Sequence, residues 1–336
     1  MVRLSVLVPL YNEESVLPAL VCRIRDVVDL VPGGPHEMVF VDDGSSDTTP
    51  ELLRRAAALD PRLLVISLSR NFGHQAAISA ALDHANGDVV VVMDGDLQDP
   101  PEAIPQLIRE FERGFEVVRV RRVDRQEAWY KRMCYALSYR VISALSDVPL
   151  PIDVGDFGLM SHRVVQVLRL LPERNRYLRG LRAWVGFSQT TIEIARVRRE
   201  SGKSKYTFRK LVSLALDGAF AFSVAPLRAA AIVGVATITA SVLYVVYALY
   251  AKFIVGRSPQ GFTALIMAMT FLSGVQLMFL GIIGEYVGRV YEETKRRPAY
   301  VVGSAFRSSG GRAEEALPSA AAGDRSRLPP GAKAPE

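Results

Sequence analysis

Apolar runs of strand length alternate with helical patterns over the first third of the chain. Leu4 to Leu10, Met38 to Val41, Leu63 to Leu68 and Val89 to Met93 read as strands. Between them, the segments from about Ser15 to Leu30, Thr48 to Leu59 and Gln75 to Asn86 carry helical spacing. Strands separated by single helices predict βαβ units on a parallel sheet, and ligands of such sheets bind at the carboxyl ends of the strands.

Further along, the alternation disappears. Ala229 to Ala251 and Phe262 to Gly284 each run for 23 residues without a charged side chain. At 1.5 Å per residue either one can cross a hydrocarbon layer of ~30 Å. The connector, residues 252–261, is short and holds Lys252, Gly256, Arg257 and Pro259. The pair therefore predicts a transmembrane hairpin, with residues 1–228 and the tail, 285–336, on the same side. Arg196, Arg198, Arg199, Lys203, Lys205, Arg209, Lys210 and Arg228 precede the first span, and Arg289, Lys295, Arg296 and Arg297 follow the second. Basic flanks of this kind place both ends in the cytoplasm.

Residues 201–228 set Tyr206, Leu211, Leu214, Phe220 and Phe222 beside lysines and arginines, the pattern of juxtamembrane amphipathic helices. Tyr130, Cys134, Leu137, Val141 and Ala144 show similar spacing and read equally as sheet-covering core. Beyond Pro298 the chain is rich in Ala, Gly, Ser, Pro and Arg, which predicts a largely disordered tail. The amino end runs from Met1-Val2-Arg3 straight into the first strand and reads as lacking a signal peptide, and Cys22 and Cys134 fit a reducing cytoplasm.

Composition sharpens this picture. The 336 residues are 49% hydrophobic and carry 41 Lys plus Arg against 35 Asp plus Glu, a net charge of +6. That much apolar material excludes a disordered chain, and two cysteines exclude a disulfide-stapled one. The charge is not spread evenly: residues 1–195 hold 22 basic and 26 acidic side chains, whereas residues 196–228 hold 8 and 2. A basic surface of the kind that tracks nucleic acid is thereby excluded as well.

Polar residues gather at three strand ends. The first carries Pro9-Leu10-Tyr11-Asn12-Glu13, the second Asp42-Asp43-Gly44-Ser45-Ser46-Asp47, and the fourth Asp94-Gly95-Asp96-Leu97-Gln98-Asp99-Pro100-Pro101. Singly these are turn formers and helix caps. Together they would bring Asp42, Asp43, Asp94 and Asp96 to one sheet edge, where carboxylates resist desolvation unless a cation joins them. A hard divalent ion, Mg²⁺ or Mn²⁺, suits such oxygens.

At this spacing, and followed by two spans, the motifs resemble the polyisoprenyl-phosphate glycosyltransferases of glycosyltransferase family 2, relatives of dolichol-phosphate mannose synthase and bactoprenol glucosyltransferases. The resemblance covers residues 3 to about 298. It implies a GT-A, Rossmann-like α/β domain over residues 1–200 with a mostly parallel sheet. It implies further that Pro9, Tyr11, Glu13, Val41 and Asp43 line the nucleoside pocket of a UDP- or GDP-hexose, with Asp42 and Gly95 in the same donor site. Asp94, Asp96 and Gln98 would hold the metal, Asp96 counting also as catalytic. Gly95 stands where relatives often have Ala. Arg199, Ser204 and Lys205 match a loop that closes over the diphosphate, while Arg121 and Arg132 would face the donor and acceptor phosphates. Asp156, in Asp153-Val154-Gly155-Asp156-Phe157, is the implied base or acceptor-orienting group, and Gly158 follows where relatives commonly have Arg.

The implied reaction is inverting transfer of a hexose, glucose from UDP-glucose first among the candidates, to a polyprenyl phosphate. Mannosyl and N-acetylhexosaminyl transfer are alternatives, and the resemblance is compatible with a homo-oligomer. Two rivals remain: a processive polysaccharide synthase, of which Leu181-Arg182-Ala183-Trp184 is a faint echo, and a membrane-anchored nucleotide-binding module without turnover.

Overall fold

The structure, a computed structural model, describes residues 3–123, 154–171, 173, 176–195, 225–254, 261–295, 297–309 and 312–316. The chain divides into two compact units: Met1–Gln126 with Pro151–Lys203 and Arg297–Glu336, and Glu127–Leu150 with Ser204–Arg296.

In the first unit, the described residues build one nine-stranded sheet. Its strands are β1 (Leu4–Leu10), β2 (Glu37–Asp42), β3 (Leu63–Leu68), β4 (Val89–Val92), β5 (Val117–Val123), β6 (Val154–Ser161), β7 (Gln189–Ala195), β8 (Val302–Ser309) and β9 (Arg312–Ala316), in the order β7-β5-β6-β4-β1-β2-β3-β8-β9. Parallel pairs join β1 to β2 and β4, β2 to β3, and β5 to β7. Only β6 and β8 run against the rest. This is the mostly parallel, Rossmann-like GT-A arrangement that the resemblance implies.

Among the described residues six helices flank the sheet: α1 (Leu17–Leu30), α2 (Thr49–Leu59), α3 (His74–His84), α4 (Ile104–Glu112), α5 (His162–Leu170) and α6 (Leu178–Trp184). Alternation along the central strands divides the core in two. Leu4, Val6, Val8 and Leu10 of β1 share one core with Leu17, Leu20, Ile24 and Val28 of α1. Leu7, Val39, Val41 and Ile66 share the other with Ala77, Ile78 and Ala81 of α3 and Val164, Val165 and Leu168 of α5. A strand buried on both faces needs apolar residues at nearly every position, as β1 and β4 show. Each fully buried Val, Leu or Ile contributes ~1.5–3 kcal/mol. Pro18, Pro50 and Pro105 lie in the first turns of α1, α2 and α4, where no N–H partner is lost. Ser161 starts α5 by accepting the Val164 N–H at 3.2 Å.

The expected disorder of the tail needs correction in its first part. β8 pairs antiparallel with β3, setting Phe306 opposite Val65 and Ala305 opposite Ile66. Just before it, the Tyr300 hydroxyl donates to Asp83 Oδ2 at 2.6 Å and the Ser69 N–H donates to the Val301 carbonyl at 2.9 Å. Tyr300, Val302 and Ala305 are buried in the α3-side core. The physical reason is the open edge of β3: its unpaired N–H and C=O groups take the nearest strand available.

The second unit contains α7 (Ala225–Phe253, 29 residues) and α8 (Phe262–Thr294, 33 residues), which enclose the expected spans 229–251 and 262–284. α8 continues through Glu285 to Thr294 instead of stopping with the apolar run. The helices approach each other at Gly234, where an added Cβ would lie 3.8 Å from Phe279. Elsewhere large apolar side chains, among them Val235, Ile238, Val242, Leu265, Phe271 and Leu277, stand exposed. Among the described residues one stretch, Phe271–Thr294, is long and apolar enough to cross a membrane, and Ile232–Tyr247 is a shorter apolar stretch in α7. The expected amphipathic segments lie outside the described residues, except that residues 225–228, the end of the expected 201–228 segment, form the start of α7.

Candidate active site

The polar strand ends meet at the carboxyl edge of the sheet, as parallel topology requires. On the β1–β2 side, their side chains bind backbone. Asn12, at φ 53°, accepts the Ser46 N–H through Oδ1 at 2.8 Å, and its own N–H donates to Ser45 Oγ at 2.9 Å. Asp42 Oδ1 accepts the Ser45 N–H at 3.0 Å. Asp43 receives the N–H groups of Phe72 at 2.7 Å and Gly73 at 2.9 Å, one on each oxygen, and so ties the β3–α3 loop down. Burial pushes the Asp43 carboxyl up, and these two bonds oppose that only in part. Gly44, at φ 68°, lies directly on the backbone of this loop: a Cβ there would come 2.5 Å from the carbonyl carbon of Arg70. Asp47 accepts from Thr49 N–H at 3.0 Å and Glu14 N–H at 3.2 Å. Burial acts upward on its carboxyl, but the Thr49 bonds outweigh it and hold it below the ordinary range.

These contacts correct the expectation for Asp42 and Asp43. Both are buried, and the groups that meet their oxygens are backbone N–H donors within the loops. Around them Pro9 and Val41 lie at their strand ends, Tyr11 is 45% exposed and Glu13 is half-buried.

The loop after β4 has a different character. Leu97 adopts φ 56°, a conformation that costs a non-glycine residue about 1 kcal/mol or more. Asp96 Oδ1 accepts the Gln98 N–H at 3.1 Å, and Gln98 and Asp99 are buried. Gly95 is not interchangeable with Ala at no cost, because the space its side chain would take is filled by Leu10 Cδ2.

On the β4–β6 side, charges face charges. Asp156 of β6 has a side chain 2% exposed and receives Arg179 of α6 by two bonds, Nε to Oδ1 at 3.0 Å and Nη2 to Oδ2 at 2.9 Å. His74 Nε2, at the start of α3, stands 3.3 Å from Asp156 Oδ2 and 3.5 Å from Asp94 Oδ1. His74, Asp94 and Asp156 each bring a ligand atom within 4.8 Å of the others, a possible metal site. Arg182, one helical turn beyond Arg179, is wholly buried and donates to the carbonyls of Gly155 at 3.0 Å and Asp156 at 3.1 Å. Gly158 leaves it room, since a Cβ there would lie 3.2 Å from Arg182 Nη1. Burial alone would raise the Asp156 carboxyl, but the His74 bond and the Arg179 charge reverse this and hold it far below the usual range. Burial likewise acts downward on His74, and its bond to Asp156 and the charge of Asp94 more than restore it, so its pKa is raised. Burial without full compensation pulls Arg182 down to about 10.

Sequence reasoning missed His74, Arg179 and Arg182 as site residues. It placed Arg121 at the phosphates, whereas the structure sets it against Glu193 of β7 at 3.2 Å on an exposed surface, because the two residues are register partners. Arg132, Arg199, Ser204 and Lys205 lie outside the described residues.

Residues 5–169 match the family described as glycosyl transferase family 2, and residues 225–290 match the GtrB C-terminal hairpin. The chain is 41% identical over 306 residues to uncharacterized glycosyltransferase YkcC of Bacillus subtilis, a match covering 91% of this chain and 94% of that protein. It is 38% identical over 308 residues to the SfII prophage-derived bactoprenol glucosyl transferase of Shigella flexneri, covering 91% and 99%. Among solved structures, the mannosyltransferase PcManGT from Pyrobaculum calidifontis in complex with GDP-Man and Mn²⁺ aligns with a TM-score of 0.48 and 19% identity, over 83% of this chain and 87% of that one.

Proposed function

We propose that this chain, which belongs to glycosyltransferase family 2, moves a hexose from a nucleotide sugar to a polyprenyl phosphate at a membrane. The observation that carries this reading is the division of the sheet edge. The nucleoside candidates Pro9, Tyr11, Glu13, Val41 and Asp43 gather at β1 and β2, Asp94 lies next to them at β4, and the cationic cluster on Asp156 lies beyond it at β6. The relative named bactoprenol glucosyl transferase supports a polyprenyl acceptor and makes UDP-glucose the leading donor.

A divalent cation fits this edge. Asp94, Asp96 and Gln98 offer hard oxygens, His74 adds an imidazole nitrogen, and the Asp94 side chain keeps 24% of its surface in solvent. Mg²⁺ or Mn²⁺ held there would stabilise the charge of the departing diphosphate. In the transfer, an oxygen of the lipid phosphate attacks the anomeric carbon while the bond from that carbon to the diphosphate breaks, with inversion. A phosphate monoester has a second pKa of about 6, so at neutral pH the nucleophile is already largely deprotonated. No side chain has to take a proton. This agrees with Asp156, whose carboxylate is paired with Arg179 and is a weak base.

The pairing of β8 with β3 bears on the membrane arrangement: segments before α7 and after α8 share one sheet, which supports both helices crossing together. That supports a two-span hairpin, with the basic flanks at Arg228 and Arg289 to Arg297 cytoplasmic.

The test is transfer in membranes holding the full chain, with labelled UDP-glucose, GDP-mannose and UDP-N-acetylglucosamine offered separately with polyprenyl phosphate. An organic-soluble product that needs Mg²⁺ or Mn²⁺ is expected, with UDP-glucose the best donor. An insoluble polymer would favour a processive synthase, and tight nucleotide-sugar binding without product would favour a module that does not turn over.

A further inference from the structure

We infer that Arg179 receives the phosphate of the lipid acceptor and that Asp156 serves it as a positioning residue, an inference that rests on the phosphate acceptor proposed above. One buried carboxylate, Asp156, faces two guanidiniums, Arg179 on both its oxygens and Arg182 at 4.0 Å. The two arginines thus outnumber the carboxylate they share, and a guanidinium can direct N–H groups at an anion.

The two arginines differ in what they can offer. Arg182 is sealed in, its fork turned to the carbonyls of Gly155 and Asp156. Arg179 has a side chain 35% exposed, and its bonds to Asp156 use one N–H of Nε and one of Nη2. A guanidinium has five N–H donors in a rigid plane, so the Nη1–Nη2 edge remains for a second oxyanion. That edge can hold two oxygens of a phosphate side by side and leave the third for attack. Asp156 fixes the plane of the fork, and both of its own oxygens are engaged in doing so.

Strand order decides between acceptor and donor. β4, carrying Asp94 at its end, lies between β1 and β6. The nucleoside candidates are on the β1–β2 side, and Arg179 acts on β6, across Asp94 from them. A phosphate held by Arg179 therefore meets the donor's sugar end instead of its base. The acceptor is also the species in need of a fixed cation here, since a phosphate dianion beside Asp94 and Asp156 is otherwise repelled.

The experiment uses the full chain in detergent or proteoliposomes, with a short-chain prenyl phosphate as acceptor and lipid-independent hydrolysis of the nucleotide sugar as second readout. Arg179→Lys keeps the charge but loses the fork, and it should raise KM for the prenyl phosphate about tenfold or more while leaving donor KM and donor hydrolysis nearly unchanged. Asp156→Asn should shift acceptor KM in the same direction. Because Arg179→Ala strands a buried carboxylate, the double variant Arg179→Ala with Asp156→Asn is measured beside it, with the thermal midpoint of each checked. A selective loss of acceptor affinity in the folded variants supports the assignment. A donor KM that rises as much as acceptor KM, or an acceptor KM that stays put, overturns it while wild-type transfer stands. Wild-type protein that makes no lipid-linked sugar from any donor would overturn the proposed function and this inference together.

Discussion

Two groups of aspartates occupy the same edge of the same sheet and do different work. Asp42, Asp43 and Asp47, at and just after the end of β2, accept hydrogen bonds from backbone N–H groups of Ser45, Phe72, Gly73, Thr49 and Glu14. Asp94 and Asp156, after β4 and within β6, face His74, and Asp156 is held by Arg179. Backbone donors cannot leave, so the first group shapes loops. Side-chain cations can be exchanged for a metal or shared with a phosphate, so the second group can take part in chemistry. The comparison teaches that an acidic motif declares its role through the partner of each carboxylate and not through its own spacing.

The contrast can be broken in several ways. Asp94→Ala should lower transfer in membranes by ~10²-fold or more, a far larger effect than on the thermal midpoint, because its loss removes charge stabilisation at the departing diphosphate. Equal losses of stability and activity would place Asp94 with the structural group. Gly44→Ala should cost about 3 kcal/mol in denaturant unfolding of the full chain, since its Cβ meets the Arg70 backbone at a left-handed φ. Wild-type stability in that variant would show that the β2 and β3 loops are not in contact. Asp43→Asn leaves one carbonyl oxygen where two carboxylate oxygens each held an N–H, so a loss of about 2 kcal/mol and faster hydrogen exchange at Phe72 and Gly73 are expected. As a reference far from both groups, Ser161→Ala removes the cap of α5 and should cost ~1 kcal/mol with transfer unchanged. A loss of transfer in that variant would mean that β6 relays stability to the site more directly than its packing suggests.

Much of this was legible in the chain. Leu4–Leu10, Leu63–Leu68 and the Asp94 motif stand where the apolar period places them, because strands buried on both faces are nearly continuous apolar runs. What stayed hidden depended on long-range pairing. His74 follows Asn71-Phe72-Gly73 at the end of β3, the one early strand end that carries no acidic residue and so drew no attention. Arg179 and Arg182 are three residues apart on a short helix with Leu178 and Leu181, which signals a helix face turned toward the sheet but not the aspartate it meets. Tyr300 and Val302 were masked by the Ala, Gly and Ser around them, and their order comes from β3, a partner far away in sequence.

That last pairing also sets a sequence of events. β3 ends at Leu68 and its neighbour β8 begins at Val302, with both long helices between them. During synthesis the ribosome releases β3 early, and its edge stays bare until the apolar helices have emerged and been dealt with by the cell. The completed sheet is therefore a record that both long helices have already been made, and a chain broken off before Val302 would present β3 to whatever strand it meets first.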